Sequence, residues 1–369
     1  MLKRIRDWYG RFERPISSIS LIGGFVFNAL TLTRVDEFME NFWVAIHILA
    51  VAVAIVLINR EENMGADAVH EGADPAKLHF WLLNILQFTF GGLLSTFIVF
   101  YVRGSVLAVA WPFFAILVVA FFANERFKKH YARIDFQISF FFLSLFLFAI
   151  FFVPVLVHAI GPAVFLMSGG LALLALMLFI LVLKWCTREG FKRGRAALYS
   201  SVIGIYLVVN ALYFLHAIPP LPLALQDSGI YHSVARRVDG NYTVTTEDGS
   251  FKDHVLKYLS VYPTYHTKAG VPAYAYSAIF SPGSFNMSIV HDWQRRDEAT
   301  GKWTSVSRVT LPVVGGRNGG YRTYSVNRDL AAGKWRVNVT TESGQLIGRM
   351  AFQVVVGDTI PPLEIEIKD

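Results

Sequence analysis

The chain has one cysteine, Cys186, in 369 residues. A single thiol cannot form an intrachain disulfide or anchor a cysteine-based zinc site, so neither staple is available to the fold. Asp, Glu, Lys and Arg are missing from the interiors of the long apolar runs that dominate residues 1–225. Charges inside a bilayer are costly and mark ion pathways or proton relays, so their absence argues against a charge-coupled pump. The opening "MLKRIRDWYGRFERP" lacks the short apolar core and small-residue cleavage site of a secretory signal, and the first apolar segment is expected to remain as an anchor. A basic stripe is also absent. The net charge of +7 divides into +5 for residues 1–225 (18 Lys/Arg against 13 Asp/Glu) and +2 for residues 226–369 (16 against 14). No nucleic-acid partner is expected from that balance.

What the chain has in abundance is apolar residues: 54% of the total, with 31 Phe. Runs long enough to cross a bilayer core of roughly 30 Å recur, which is the mark of a polytopic membrane protein. Seven candidate spans fall at 16–33, 41–59, 79–102, 105–123, 137–159, 162–184 and 198–217. The first is diluted by Ser17, Ser18, Ser20 and Asn28. If all seven cross, 16 Lys/Arg lie on one side, and only Arg34 and Arg103 lie in the short loops of the other. The positive-inside rule then puts the N-terminus in the cytoplasm and sends residues 226–369 out of it. The lipid bilayer is the implied partner.

Polar residues inside the spans are few. Asn84 and Gln87 lie one turn apart in the third span and form a candidate intramembrane cluster. They suit either a polar cavity or plain interhelical hydrogen bonding. Pro154 and the Gly161-Pro162 pair are read as helix kinks or ends. Asp36, Glu37 and Glu40 cluster in "TRVDEFMEN", and His70, Glu71 and Asp74 in the longest cytoplasmic loop. A solvated helix end and a flexible connector explain them without a metal. No cofactor, metal or catalytic set is expected, since no nucleophile, base and acid are fixed by spacing.

After "IPPLPLAL" the chain changes character. Residues 228–270 combine a short polar helix candidate, "GIYHSVARRVDG", with strand-like stretches. From residue 272 apolar and polar positions alternate through "AYAYSAIF", "NMSIVHDWQ", "KWTSVSRVTLPV", "YRTYSVN", "KWRVNVTT" and "QLIGRMAFQVVV". Short alternating strands separated by Gly- and Asp-bearing turns predict an all-β, immunoglobulin-like antiparallel sandwich behind the α-helical bundle. The domain plan is a basic cytoplasmic N-terminus (1–15), a seven-span transmembrane domain (16–217) and a connecting region (218–271). A β-sandwich domain (272–357) and a tail (358–369) follow.

The sandwich stretch carries spaced motifs. They are His291-x-Trp293, Arg322-x-x-Ser325, Gly333-x-Trp335-x-Val337, and Gly344-x-x-x-Gly348 followed by Phe352-x-Val354. Together they resemble domain-of-unknown-function family 2914, and the resemblance covers about 85 residues. It implies a bacterial envelope protein, set in the inner membrane with its tail in the periplasm, and brings no established activity or catalytic residues. Its residues offer candidate ligand or partner contacts at His291, Trp293, Arg317, Arg322 and Trp335. His291 alternates with Met287, Ile289 and Trp293, so a structural histidine competes with a general base there. Trp293, Trp303 and Trp335 suit either a sugar-stacking platform or core. Arg322 suits an anionic ligand or a carboxylate across the sheet. "VVGGRNGGYR" has no helix after it and lacks the Gly-Lys-Ser/Thr ending of a phosphate loop, so its glycines are expected in a hairpin connection.

Two functions follow from this reading. In the first, an envelope protein displays a β-sandwich that binds a partner protein, glycan or other envelope ligand. In the alternative, the bundle is a membrane-embedded enzyme or transporter acting on a lipid-linked or hydrophobic substrate.

Overall fold

A computed structural model describes residues 23–32, 36–64, 75–103, 107–126, 133–187, 195–247, 262–282, 285–315 and 319–368. The chain divides into a helical unit that ends at Leu221 and a β-rich unit whose main segment begins at Pro222.

Seven helices occur among the described residues. They are α1 (23–31), α2 (Phe38–Met64), α3 (Pro75–Arg103), α4 (Leu107–Arg126), α5 (Ile134–Val157), α6 (Pro162–Thr187) and α7 (Arg195–Phe214). Five of the described helices, α2, α3, α5, α6 and α7, are long and apolar enough to cross a membrane, against the seven spans expected. In α4 the apolar stretch with described side chains, Ala110–Phe122, is shorter than these five. Of the first expected span, residues 23–32 are described and 23–31 form α1; the remainder lies outside the described residues.

These helices are apolar on every side, which suits segments with protein on one face and lipid on the other. Their shared core is aromatic, with Phe90, Phe97, Phe142, Phe146 and Phe151 buried. Tyr101 packs edge-on to Phe113 at 4.8 Å and donates its hydroxyl hydrogen to the Leu147 carbonyl at 3.0 Å. That bond satisfies the one polar atom of an otherwise apolar side chain. Large apolar residues such as Phe88, Trp111, Met177 and Trp185 remain exposed on the helix surfaces. The α5–α6 connection is a sharp stop: His158 is left-handed at φ 53° and Gly161 lies at φ 129°. Pro162 opens α6, where its missing N–H costs nothing.

The β-rich unit holds eleven strands among the described residues: β1 (Ala224–Tyr231), β2 (Ser233–Arg236), β3 (Tyr242–Glu247), β4 (Thr264–Thr267), β5 (Ala273–Phe280), β6 (Asn286–Arg296), β7 (Trp303–Val314), β8 (Tyr321–Asn327), β9 (Gly333–Thr341), β10 (Leu346–Val356) and β11 (Leu363–Lys368). They form three sheets, ordered β1-β5-β8, β4-β10-β9-β6-β7 and β11-β3-β2. The five-stranded sheet meets the β1-β5-β8 sheet across His291, which bonds from β6 to Ser277 on β5 and Ser325 on β8. On the other face of the β1-β5-β8 sheet, Tyr276 and Ala278 pack with Tyr242 and Val244 of the third sheet.

Three local expectations are corrected. The "GIYHSVARRVDG" stretch is strand rather than helix, because Tyr231 and Val234 alternate into a shared apolar cluster and Ser233–Arg236 pairs with β3. The sheets are not wholly antiparallel, since β4 runs parallel to β10. The glycine segment is not a hairpin, since β7 pairs with β6 while β8 pairs with β5 in the other sheet. Gly315 instead permits a close approach: a Cβ there would lie 1.8 Å from the Pro282 carbonyl oxygen. Gly320 adopts φ 83°, a left-handed conformation that glycine takes without strain.

Candidate functional site

Strand alternation sorts the expected contacts. On β6, Ile289, His291 and Trp293 face inward, and on β9 so do Trp335, Val337 and Val339; all are buried. His291 is wholly buried between two hydroxyls, with Nε2 2.9 Å from Ser277 Oγ and Nδ1 2.9 Å from Ser325 Oγ. The indole of Trp293 donates to the same Ser325 Oγ at 2.9 Å. Burial pulls the imidazole from its ordinary 6.5 down to about 4, so it is neutral at pH 7. Trp335 donates its Nε1 hydrogen to the Ala331 carbonyl at 2.8 Å. His291, Trp293 and Trp335 thus tie sheets and loops together from within.

The remaining expected residues are scattered. Arg322 sits on β8 beside Ala278, makes no ion pair among the described residues, and accepts a bond from Tyr242 on its backbone oxygen. Arg317 lies outside the described residues, as do His70, Glu71 and Asp74. In α3, Gln87 is buried and Asn84 half-buried. A polar link between helices that the sequence did not single out joins Asn59 of α2 to Gln137 of α5 at 2.8 Å.

The outward face of the five-stranded sheet gathers different residues. In register across it, Gln294 of β6 stands opposite Arg336 of β9, and Asn338 of β9 opposite Arg349 of β10. Arg336 Nε donates to Gln294 Oε1 at 2.7 Å, and Arg349 Nε donates to Asn338 Oδ1 at 2.7 Å. Asp292 accepts from Gln294 Nε2 and from the Ser305 hydroxyl. The carboxylate thereby turns the amide so that its oxygen meets the guanidinium. The Arg336 guanidinium also lies over the Trp303 ring, 4.3 Å from its centroid, in a cation–π contact. Lys334 lies on the same face, with Nζ 5.0 Å from the Tyr262 ring centroid. Burial first, and then the positive charge of Arg349, pull Arg336 down to about 10; it remains a cation at neutral pH. Asp292 is the only carboxylate in the strands of this sheet. The signal for this face was present in "KWRVNV", where the residues between inward-facing Trp335, Val337 and Val339 are Arg336 and Asn338.

A second polar cluster links sheets at β3 and β4. Glu247 accepts from His232 Nε2 at 3.2 Å, from His266 Nδ1 at 2.8 Å and from the His266 backbone N–H at 2.6 Å. Burial pushes this carboxyl up, but those bonds outweigh it and hold the group below its usual value. Each imidazole nitrogen points at a carboxylate oxygen rather than at a shared vacant point. Among the described residues no group of three or more His, Cys, Asp or Glu is placed to hold a metal ion.

The architecture is therefore a set of membrane-length helices followed by a β-rich unit with mostly antiparallel sheets. Residues 286–354, from β6 almost to the end of β10, match the family model described as "Protein of unknown function (DUF2914)". No curated protein matches the chain. Among solved structures, the Pseudomonas fluorescens alkylpurine DNA glycosylase AlkC bound to DNA containing an abasic site analog aligns over 88% of this chain and 100% of its own, at 10% identity. Its TM-score of 0.22 carries no argument about fold or activity.

Proposed function

We propose that this is a multi-pass membrane protein of the bacterial envelope that holds an immunoglobulin-like β-sandwich outside the cytoplasm. The outward face of its five-stranded sheet there binds a glycan, protein or other envelope ligand. The observation that carries the binding role is the Asp292–Gln294–Arg336–Trp303 array, a pre-set polar and aromatic surface whose arginine is anchored by a neutral amide. Its placement outside the cytoplasm rests on charge. With the five long helices as the only crossings, Arg60 and Lys77 share a side with the β-unit, and the other 16 Lys/Arg before residue 226 lie opposite. Seven crossings give the same ratio with Arg34 and Arg103 as the exceptions, so both counts export the β-unit.

The two counts differ in where they put residues 65–74, which provides a test. In a Cys186→Ser background, Thr310→Cys and Ala68→Cys are each labelled with a membrane-impermeant maleimide in intact cells, and the 310 thiol is then used to crosslink its neighbours. Labelling at 310 together with an envelope adduct is the expected result. Labelling at 68 selects five crossings, and its protection selects seven. Protection at 310, with labelling only after lysis, overturns the reading.

A further inference from the structure

Among the described residues, the outward sheet face brings two guanidinium groups together without an ion pair to either. Arg336 stands opposite Ala351 and Arg349 opposite Asn338, so the two arginines are diagonal neighbours on adjacent strands of one face. Diagonal Cβ atoms in such a ladder are roughly 7–8 Å apart, within reach for side chains of this length. Each arginine uses its Nε on a neutral amide directly across the ladder. The nearby carboxylate, Asp292, has both oxygens engaged, one by Gln294 and one by Ser305. Among the described residues the Nη groups of Arg336 and Arg349 have no protein acceptor. Both side chains are half-buried, so water screens their mutual repulsion less than it would on an open surface. Trp303 covers one face of the Arg336 guanidinium and fixes its plane.

A fold that only needed to satisfy two arginines would set carboxylates beside them. Gln294 and Asn338 orient the forks, and among the described residues only Asp292, already engaged by Gln294 and Ser305, offsets part of the charge. The free edges of two planar forks suit a tetrahedral oxyanion that can accept from both, and a charge of −2 offsets both cations. We propose that Arg336 and Arg349 form the binding site for a small soluble phosphate monoester, with Trp303, Gln294 and Asn338 as positioning residues and Lys334 at the rim. A single carboxylate engages one fork and leaves the other uncompensated, and a half-buried pair on a sheet face favours a freely diffusing ligand over a headgroup held in a bilayer. This inference rests on the reading of the sheet face as a ligand surface and narrows it to one ligand chemistry.

The test uses the full chain in detergent. Inorganic phosphate is titrated by calorimetry, with chloride holding ionic strength constant. Acetate and phosphatidic-acid vesicles are titrated as separate arms. Phosphate is expected to bind saturably, with acetate at least roughly tenfold weaker. Arg336→Gln and Arg349→Gln are each expected to weaken phosphate binding by roughly 10- to 100-fold, the worth of charge-assisted hydrogen bonds. Arg336→Lys and Arg349→Lys keep the charge and lose the fork, and they are expected to recover only part of the affinity. If the glutamine variants misfold, the lysine variants and the wild-type titration still decide. Equal affinity for acetate, binding to vesicles but not to free phosphate, or no saturable phosphate binding to wild type would each overturn the proposal. An envelope adduct at residue 310 in the absence of phosphate binding would leave the broader ligand-surface reading standing and remove only this one.

Discussion

Lowering the pH should unfold the β-unit partly through one side chain. His291 titrates at about 4 in the folded chain, against an ordinary value of 6.5, because its imidazole is buried between two serines and an indole. The folded state therefore resists taking up a proton that the unfolded chain accepts readily. Stability is complete above pH 6.5, declines as the pH falls, and levels off once the pH passes the folded value. At about 1.36 kcal/mol per unit, the contribution lost reaches about 2 kcal/mol by pH 5 and about 3 kcal/mol by pH 4. His291→Gln keeps a donor and an acceptor in the pocket but cannot titrate. At pH 7 it should be less stable than wild type by about 1–2 kcal/mol, from imperfect bonds to Ser277 and Ser325. As the pH falls, wild type should lose its advantage and the two should cross near pH 5. The assay is guanidinium denaturation of the full chain in detergent from pH 7.5 to 4, followed by near-ultraviolet dichroism. A wild-type-to-variant gap that stays constant over that range would refute the reasoning.

Two further perturbations probe the joints between sheets. Glu247→Gln should destabilise the β-unit by about 1–3 kcal/mol at pH 7, since a carboxylate accepting from His232 and His266 becomes a neutral amide. The carboxyl is held below its usual 4.5, so its contribution is present above that pH and fades as the pH falls through the folded value; the deficit should shrink only below pH 4.5. An unchanged denaturation midpoint at pH 7 counts against that role. A Cβ on Gly348 would lie 2.1 Å from Leu225 Cδ2, so Gly348→Ala should cost about 1–3 kcal/mol. Adding Leu225→Ala should relieve part of that cost. Strictly additive effects in the double-mutant cycle would show that the two residues do not compete for space.

The regular strands were legible because one face of each is buried. The alternation in "NMSIVHDWQ" and "KWRVNV" marks β6 and β9 without any knowledge of their partners. Partner choice was not legible. The glycines of "VVGGRNGGYR" look the same whether they close a hairpin or carry the chain between sheets, and only the pairing of β8 with β5 decides. The "GIYHSVARRVDG" stretch is short and polar, and its strand character comes from tertiary burial of Tyr231 and Val234. In the helical unit, hydropathy marked the membrane-length stretches of α2, α3, α5, α6 and α7 but not their partners, such as Asn59 of α2 against Gln137 of α5. For the candidate site, the motif residues His291, Trp293 and Trp335 stood out through their inward positions, and that is why they belong to the core. The outward neighbours Arg336 and Arg349 repeat no motif, and their meeting depends on the β9–β10 register.

The pairing of β3 with β11 sets a practical limit on how this protein can be divided. Tyr242–Glu247 is covered on one edge by Leu363–Lys368, and Lys368 reaches Asp227 on β1 at 3.2 Å. The family match ends at residue 354, before β11 begins, and starts at residue 286, after β1 to β5 are complete. An expression fragment cut to the match would lack the whole β11-β3-β2 sheet and, of His291's two serine contacts, Ser277. A fragment that stops short of residue 363 would leave the backbone edge of β3 open to any other strand it meets. Intact strand pairs, rather than the bounds of sequence similarity, mark the segment from Pro222 through Lys368 as the smallest sensible piece for crystallisation or binding work.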